Sequence, residues 1–298
     1  MKIVKFAAID IGTNAIRLLI ANVVRDGNKR SKIKKNTLVR VPVRLGEDVF
    51  ERGEISPAKQ EKLIKSMQAF KLLMDVFDVR DYLAVATSAM REARNGKQVI
   101  DRIRKETGMR VEIIDGAREA EFIAHTDLED LIDPNKNYLY VDVGGGSTEF
   151  TVIEKGRKKG SQSFKLGTVR ALKDKIPSGE WNRAKQWVKE HTADLDDIYL
   201  IGSGGNINKL FKMSGKVPGS PLTKPHLKAL YKMLKSMSYK QRIKELGLNP
   251  DRADVIIPAA KIYTRAMNWS GADKIYVPSI GLADGIIKYL HDKHRAGN

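Results

Sequence analysis

No cysteine occurs among the 298 residues, which excludes disulfide bridges and thiolate metal sites. No long apolar run is free of charge either. The most apolar stretch, Phe6 to Val24, contains Asp10, Asn14 and Arg17 and lacks the pattern of a cleavable signal, so a cytoplasmic location with no membrane partner is expected. Aromatic-rich RNA-binding signatures are missing, and no specific nucleic-acid partner is expected. Acids are scarce beside bases: 36 Asp and Glu face 54 Lys and Arg, a formal charge of +18. Such a surplus attracts polyanions in a salt-dependent way. The shortage is local as well as global, since Arg25 to Arg40 holds seven basic residues and one acid, and Lys224 to Lys244 holds seven and none. A generally basic, well-solvated surface is the plainer explanation of the same numbers. Hydrophobic content of 42% fits an ordered globular protein, and the length fits two domains.

The most informative stretch runs from Tyr138 to Ile153. A short, β-branched and aromatic run ends at Asp142, three glycines and Ser147 follow, and a second apolar run begins. This predicts strand, loop, strand. Without side chains in the way, the amides of Gly144, Gly145, Gly146 and Ser147 can converge on phosphate oxygens. A carboxylate beside such a loop repels phosphate, and a divalent cation near Asp142 and Glu149 resolves that conflict.

An earlier stretch repeats the plan. Phe6 to Asn14, with Asp10 and Gly12, aligns with Tyr138 to Gly146 at an offset of 132 positions. The spacing is too long for a solenoid and predicts two similar half-domains facing each other, with the active centre in a cleft between them. An ordinary tight turn explains one Asp-x-Gly segment; two copies, plus the turn Gly202-Ser-Gly204-Gly205, make coincidence a poorer account.

Along the rest of the chain, turns at Gly12 and at Asp26-Gly27-Asn28 separate three strands, the third mixing lysines with apolar residues as a charged edge strand does. Ser56 and Pro57 open a helix whose stripe is Leu63, Met67, Phe70, Leu73, Met74 and Phe77. The strand Tyr82 to Thr87 delivers Arg91, either to fork onto a phosphate or to pair with Glu92. Asp115 caps a helix expected from Gly116 to Leu131, its stripe including Leu128 and Leu131, with Glu119 in the first turn. Gly156 to Gly160 is expected to be a basic hairpin turn. Leu166-Gly-Thr-Val-Arg170 opens a short helix. Thr223 caps a helix bearing the stripe Lys224, Lys228, Lys232 and Lys235, a solvated face or a polyanion track. A helix from Arg252 to Met267 is expected to kink at Pro258.

Five blocks, Asp10 to Asn14, Thr87 to Asn95, Gly116 to Ala120, Asp142 to Glu149 and Gly202 to Gly205, together resemble the exopolyphosphatase and guanosine pentaphosphate phosphohydrolase (Ppx/GppA) family, in the family's order and across most of the chain. The resemblance implies an α/β fold with two ribonuclease H-like domains of the actin, sugar kinase and heat-shock ATPase superfamily. The expected domains are residues 1–122 and 123–298, a terminal helix near 282–293 packing back on the first. It implies Glu119 as the residue that activates water, with Mg²⁺, or Mn²⁺, held by Asp10, Asp142 and Glu149. The candidate phosphate contacts are Gly12, Thr13, Asn14, Arg17, Arg91, Gly144, Gly145, Gly146, Ser147, Gly204 and Gly205. Two departures stand out: Arg118 where relatives commonly carry an acid, and Ala15 where they often carry serine. A homodimer is expected by the same analogy. The length leaves no room for the carboxy-terminal helical domains of longer relatives, so grip on a long chain is expected from these two domains or a partner subunit.

The expected activity is metal-dependent release of orthophosphate from the ends of inorganic polyphosphate. The alternatives are hydrolysis of guanosine pentaphosphate at its 5′-phosphate, an actin-fold small-molecule kinase, and a non-catalytic polyanion binder. A kinase needs an acceptor where a hydrolase needs only water.

Overall fold

The computed structural model describes residues 2–25, 31–126 and 132–296. By contact the chain divides into two units, Met1–Thr126 with Leu282–Asn298, and Asp127–Gly281.

The first unit begins with three strands, β1 (Lys2–Ile11), β2 (Ile16–Arg25) and β3 (Lys32–Val41). The expected turn at Asp26-Gly27-Asn28 lies outside the described residues. Two helices follow, α1 (Leu45–Arg52) and α2 (Pro57–Val76), then β4 (Asp81–Ala86), α3 (Ser88–Glu92), α4 (Gly96–Thr107), β5 (Glu112–Ile113) and α5 (Gly116–Ala124). The sheet order is β3-β2-β1-β4-β5. β1 is antiparallel to β2 and parallel to β4. Central β1 is almost wholly apolar from Phe6 to Ile11, as burial on both faces demands. Lysine-rich β3 is the edge, where charge discourages pairing with another chain.

The second unit repeats this plan with β6 (Asn137–Val143), β7 (Thr148–Glu154), β8 (Arg157–Phe164), α6 (Thr168–Leu172), α7 (Glu180–Thr192), β9 (Ile198–Ser203) and α8 (Gly205–Met213). It continues through β10 (Leu222–Thr223), α9 (Lys224–Ser236), α10 (Tyr239–Lys244), α11 (Pro250–Ala253), α12 (Ile256–Ser270) and β11 (Lys274–Tyr276). Its order, β10-β11-β9-β6-β7-β8, is the first sheet's order with β10 added at one edge. The closing helix α13 (Leu282–Ala296) belongs to the first unit, where Leu282, Ile286, Ile287 and Leu290 join the core of β1, β2 and Phe122.

Two of the expected caps form. Ser56 accepts from the amide of Lys59 with Pro57 behind it, and Asp115 accepts from the amide of Arg118. Other local expectations are corrected. The β7–β8 turn is the two-residue Lys155-Gly156, both at positive φ, so β8 starts at Arg157 where a wider turn was expected. Pro258 causes no kink: the chain breaks at Asp254-Val255, and Pro258 falls in the first turn of α12, where no intrahelical partner is lost. Thr223 precedes α9, but its hydroxyl meets His226 Nδ1 at 2.7 Å instead of capping the backbone. Helix α5 is described to Ala124, so Leu128 and Leu131 lie outside the described residues. Helices α1 and α10 were not expected, although α10 carries a full capping box from Ser238 and Gln241.

Candidate active site

In the second unit, β6 and β7 close at Val143 opposite Thr148, and the amide of Gly144 donates to Ser147 O at 3.0 Å across the loop. The loop carbonyls are all taken from one side. Gly144 O accepts from the amide of Thr168 (3.0 Å), Gly145 O from those of Val169 (2.8 Å) and Arg170 (3.1 Å), and Gly146 O from Arg170 Nε (2.8 Å). In a trans peptide the following N–H points opposite to the carbonyl. The amides of Gly145, Gly146 and Ser147 therefore face away from this clamp, as an anion-binding loop requires. The approach is so close that a Cβ on Gly167 would lie 2.2 Å from Gly145 O, which no side chain can occupy.

Two carboxylates flank the loop. Asp142 and Glu149 are direct cross-strand partners. Glu149 is 2% exposed, and its Oε1 accepts from Ser147 Oγ (2.7 Å) and Ser163 Oγ (2.8 Å). Like charges directly opposite one another oppose pairing, and burial sharpens the cost. The third glycine turn joins them: Gly204, at φ 108°, lies so near Asp142 that a Cβ there would be 3.3 Å from Oδ1. Beneath it the buried Tyr263 hydroxyl donates to Ser203 O. Burial first, then the negative charge of Asp142, pushes that phenol well above its ordinary range. Gly205 opens α8 immediately beyond.

The first unit shows the same turn 132 residues earlier. Ile11 pairs with Ile16, and the amide of Gly12 donates to Ala15 O at 3.2 Å. Thr13 O accepts from the amide of Gly46 and Asn14 O from that of Arg44, both at 2.9 Å, so the amides of Asn14 and Ala15 are turned outward in the same way. Arg44 holds a left-handed conformation (φ 57°), and Lys59 Nζ braces it by donating to Arg44 O (2.5 Å) and Glu47 (2.9 Å). The charge differs. Asp10, 6% exposed, faces Arg17, whose Nη1 donates to Oδ2 at 3.1 Å. Burial raises the Asp10 carboxyl and Arg17 only partly offsets it, leaving it above the usual carboxylate range.

Arg91 does not pair with Glu92, which accepts instead from Ser88 Oγ; Arg91 Nη1 donates to Ile114 O at 2.5 Å, just before the cap of α5. Glu119 is half-buried in the first turn of α5. Its neighbour Arg118 pairs with Glu121 at 2.7 Å and lies over the rings of Phe122 (4.6 Å) and Tyr289 (5.3 Å), so this position supplies a cation committed to α13 and no second carboxylate.

Among the described residues, no three His, Asp or Glu side chains are grouped to hold a metal ion. A closed protein cage is thus not what these residues offer. The opposed pair Asp142 and Glu149 fits a cation that keeps water and phosphate oxygens among its ligands, as Mg²⁺ does, and whose charge relieves their repulsion.

With the geometry in place, comparison with known proteins is decisive at the family level: the profile of the Ppx/GppA phosphatase family matches residues 28–294. The chain belongs to the Ppx/GppA phosphatase family. A bifunctional 3-dehydroquinate synthase/phosphatase of Fusobacterium nucleatum is 33% identical over 301 residues, covering 91% of this chain and 44% of that protein, so the chain spans less than half of this relative. Exopolyphosphatase 1 of Mycobacterium leprae is 22% identical over 313 residues, covering 98% of the chain and 91% of that protein. The crystal structure of an exopolyphosphatase from Cytophaga hutchinsonii matches with a TM-score of 0.83 at 26% identity, covering 97% of this chain and 98% of that one. Two α/β sheets repeating one strand order are the architecture expected of this family's superfamily. Among the described residues no helix is long and apolar enough to cross a membrane.

Several residues of this Ppx/GppA site escaped sequence reasoning. Gly167, Thr168 and Arg170 form the clamp behind the loop, and Ser163 orients Glu149. Leu166 to Arg170 was visible as the start of a helix, but nothing local links it to a loop some twenty residues earlier. Ser163 could have been found from strand alternation, since it pairs with Glu149 across β7 and β8.

Proposed function

We propose that the chain is an exopolyphosphatase that releases orthophosphate from the ends of inorganic polyphosphate. The observation that carries this reading is the Gly144–Ser147 loop, its carbonyls held back by Thr168 to Arg170 and its amides turned outward beside Asp142 and Glu149. Hydrolysis of a phosphoanhydride needs an aligned water, neutralised charge on the transferred phosphoryl group and a stabilised leaving phosphate. Glu119 takes a proton from the attacking water, whose oxygen bonds to the terminal phosphorus as the bridging P–O bond breaks. The shortened chain leaves with that bond's electron pair. The outward amides of Gly145, Gly146 and Ser147 hold phosphate oxygens throughout, and Arg17 and Arg91 are further candidate phosphate contacts. Asp142 and Glu149 would hold Mg²⁺, which would supply positive charge to the phosphates that these carboxylates otherwise repel.

The choice of polyphosphate over a nucleotide rests on the surplus of positive charge, which suits an extended polyanion. Orthophosphate release is compared for long-chain polyphosphate and guanosine pentaphosphate with Mg²⁺ under identical conditions. Preference for the polymer is expected; a strong preference for the nucleotide overturns the assignment. Glu119→Gln is expected to lower turnover by about 10²–10⁴-fold, and near-normal turnover removes Glu119 as the base.

A further inference from the structure

On the second unit, away from the loops, cations are gathered without acids. Arg265 of α12 lies 4.2 Å over the ring of Trp181, and Lys261, one turn earlier, has its ammonium 5.4 Å from the same ring. Burial first, then the charges of Arg265 and of Lys235 on α9, holds the Lys261 ammonium below the ordinary lysine range. Some cations of this unit are paired: Lys159 meets Asp194 at 2.7 Å, Arg183 meets Glu180 at 2.6 Å, and Lys224, first of the α9 stripe, reaches Asp273 at 4.0 Å. Among the described residues, Lys235, Lys261 and Arg265 meet no carboxylate. Crowding three like charges in a partly dry place costs free energy that an anion would recover. The exposed Lys228 and Lys232 carry the same stripe along α9 toward Lys235.

We propose that Lys235, Lys261 and Arg265 around Trp181 form a docking surface for the distal part of a polyphosphate chain whose end is processed at the glycine loops. The proposal rests on the polyphosphate reading above. Helix α12 supplies the measure of chain length. Tyr263 faces inward onto Ser203 beside Gly204, while Lys261 and Arg265, two residues to either side, project from the opposite flank. A helix with its side chains is about 10–12 Å across, so a ligand of one or two phosphates cannot touch both flanks and a polymer can. The chemistry favours a chain without bases. Single-strand nucleic-acid binders present open aromatic faces for stacking, whereas Trp181 is covered by Arg265 and packs its edge against Trp269 at 6.1 Å.

The test uses the full chain and separates binding from turnover. Binding of long-chain polyphosphate is measured by calorimetry with a chelator present, across a salt series, for wild type, K235Q/K261Q and the charge-matched control K189Q/K212Q. The double variant keeps Arg265 on Trp181, so the closer of the two cation contacts on that ring is preserved. It is expected to bind the polymer about fivefold to tenfold more weakly than the control, with a shallower salt dependence. In Mg²⁺, its loss of kcat/KM is expected to be at least about fivefold greater on long chains than on tripolyphosphate. Equal binding by the two double variants overturns the docking surface, as does poly(U) RNA displacing polyphosphate at equal phosphate concentration. Wild type that binds the polymer through this surface yet releases no orthophosphate from it would overturn the exopolyphosphatase reading and leave the docking surface standing.

Discussion

In the first unit the residue facing the strand-end aspartate is Arg17; in the second unit, 132 positions on, it is Glu149. The two turns otherwise share a main-chain plan. Gly12 and Gly144 donate to the third residue beyond, and in both turns a segment following the third strand of its sheet takes up the loop carbonyls. One position therefore separates an aspartate opposite a cation from an aspartate opposite a second carboxylate. The first hairpin has its own cation and presents outward amides with little net charge behind them. The second places two carboxylates opposite one another, and a cation bound there would offset their charge. We propose that a metal ion is held at Asp142 and Glu149, with Asp10 held by Arg17 in the other hairpin.

Glu149→Gln is the sharpest way to break the contrast. It keeps shape and the two serine contacts while removing one charge, and orthophosphate release is expected to fall by about 10²–10³-fold, with melting temperature unchanged or raised. A variant with full activity would remove the carboxylate pair from the mechanism. Gly167→Ala attacks the support behind the same loop. Backbone atoms at about 2.2 Å leave no room for a methyl group, so a loss of about 1–3 kcal/mol or more is expected in denaturant titration, with a fall in kcat.

Arg17→Gln tests the other hairpin, and a rise in KM for polyphosphate of about tenfold is expected with a smaller change in kcat. The smallest effect concerns Asp10. Its carboxyl titrates above the ordinary value because it is buried, so the folded protein retains a proton that the unfolded chain has released. Its contribution to stability is thus full at acid pH and is lost as pH rises from the ordinary aspartate value through the raised one. Asp10→Asn should melt above wild type at pH 7, and the difference should vanish below about pH 3. A lower melting temperature at pH 7 would mean that Arg17 compensates more than burial costs.

How much of this was legible in the sequence follows from how local each signal is. Asp10, Gly12, Asp142 and Gly144 to Gly146 stood out because a buried strand ending in glycine is a pattern of neighbouring residues. The opposition of Asp142 to Glu149, and of Asp10 to Arg17, follows once a hairpin closes, because register ties residue identity to position. The clamp could not be read this way. Thr168 and Arg170 reach the loop through a sheet edge and a helix start, and Gly167 reports only that some atom comes close. Arg118 shows the same limit: its departure from the family's acid was visible, but its commitment to Glu121, Phe122 and Tyr289 depends on α13, some 170 residues later. Pro258 misled because proline inside an apolar helical pattern reads as a kink, whereas as the third residue of a helix it is harmless.

The division of labour between the hairpins is tested most directly by titrating Mg²⁺ against orthophosphate release from long-chain polyphosphate for wild type, Glu149→Gln and Arg17→Gln. Glu149→Gln is expected to need at least about tenfold more Mg²⁺ for half-maximal activity, while Arg17→Gln keeps the wild-type Mg²⁺ requirement and loses affinity for the polymer. A Mg²⁺ requirement that moves with Arg17 and not with Glu149 would contradict that division.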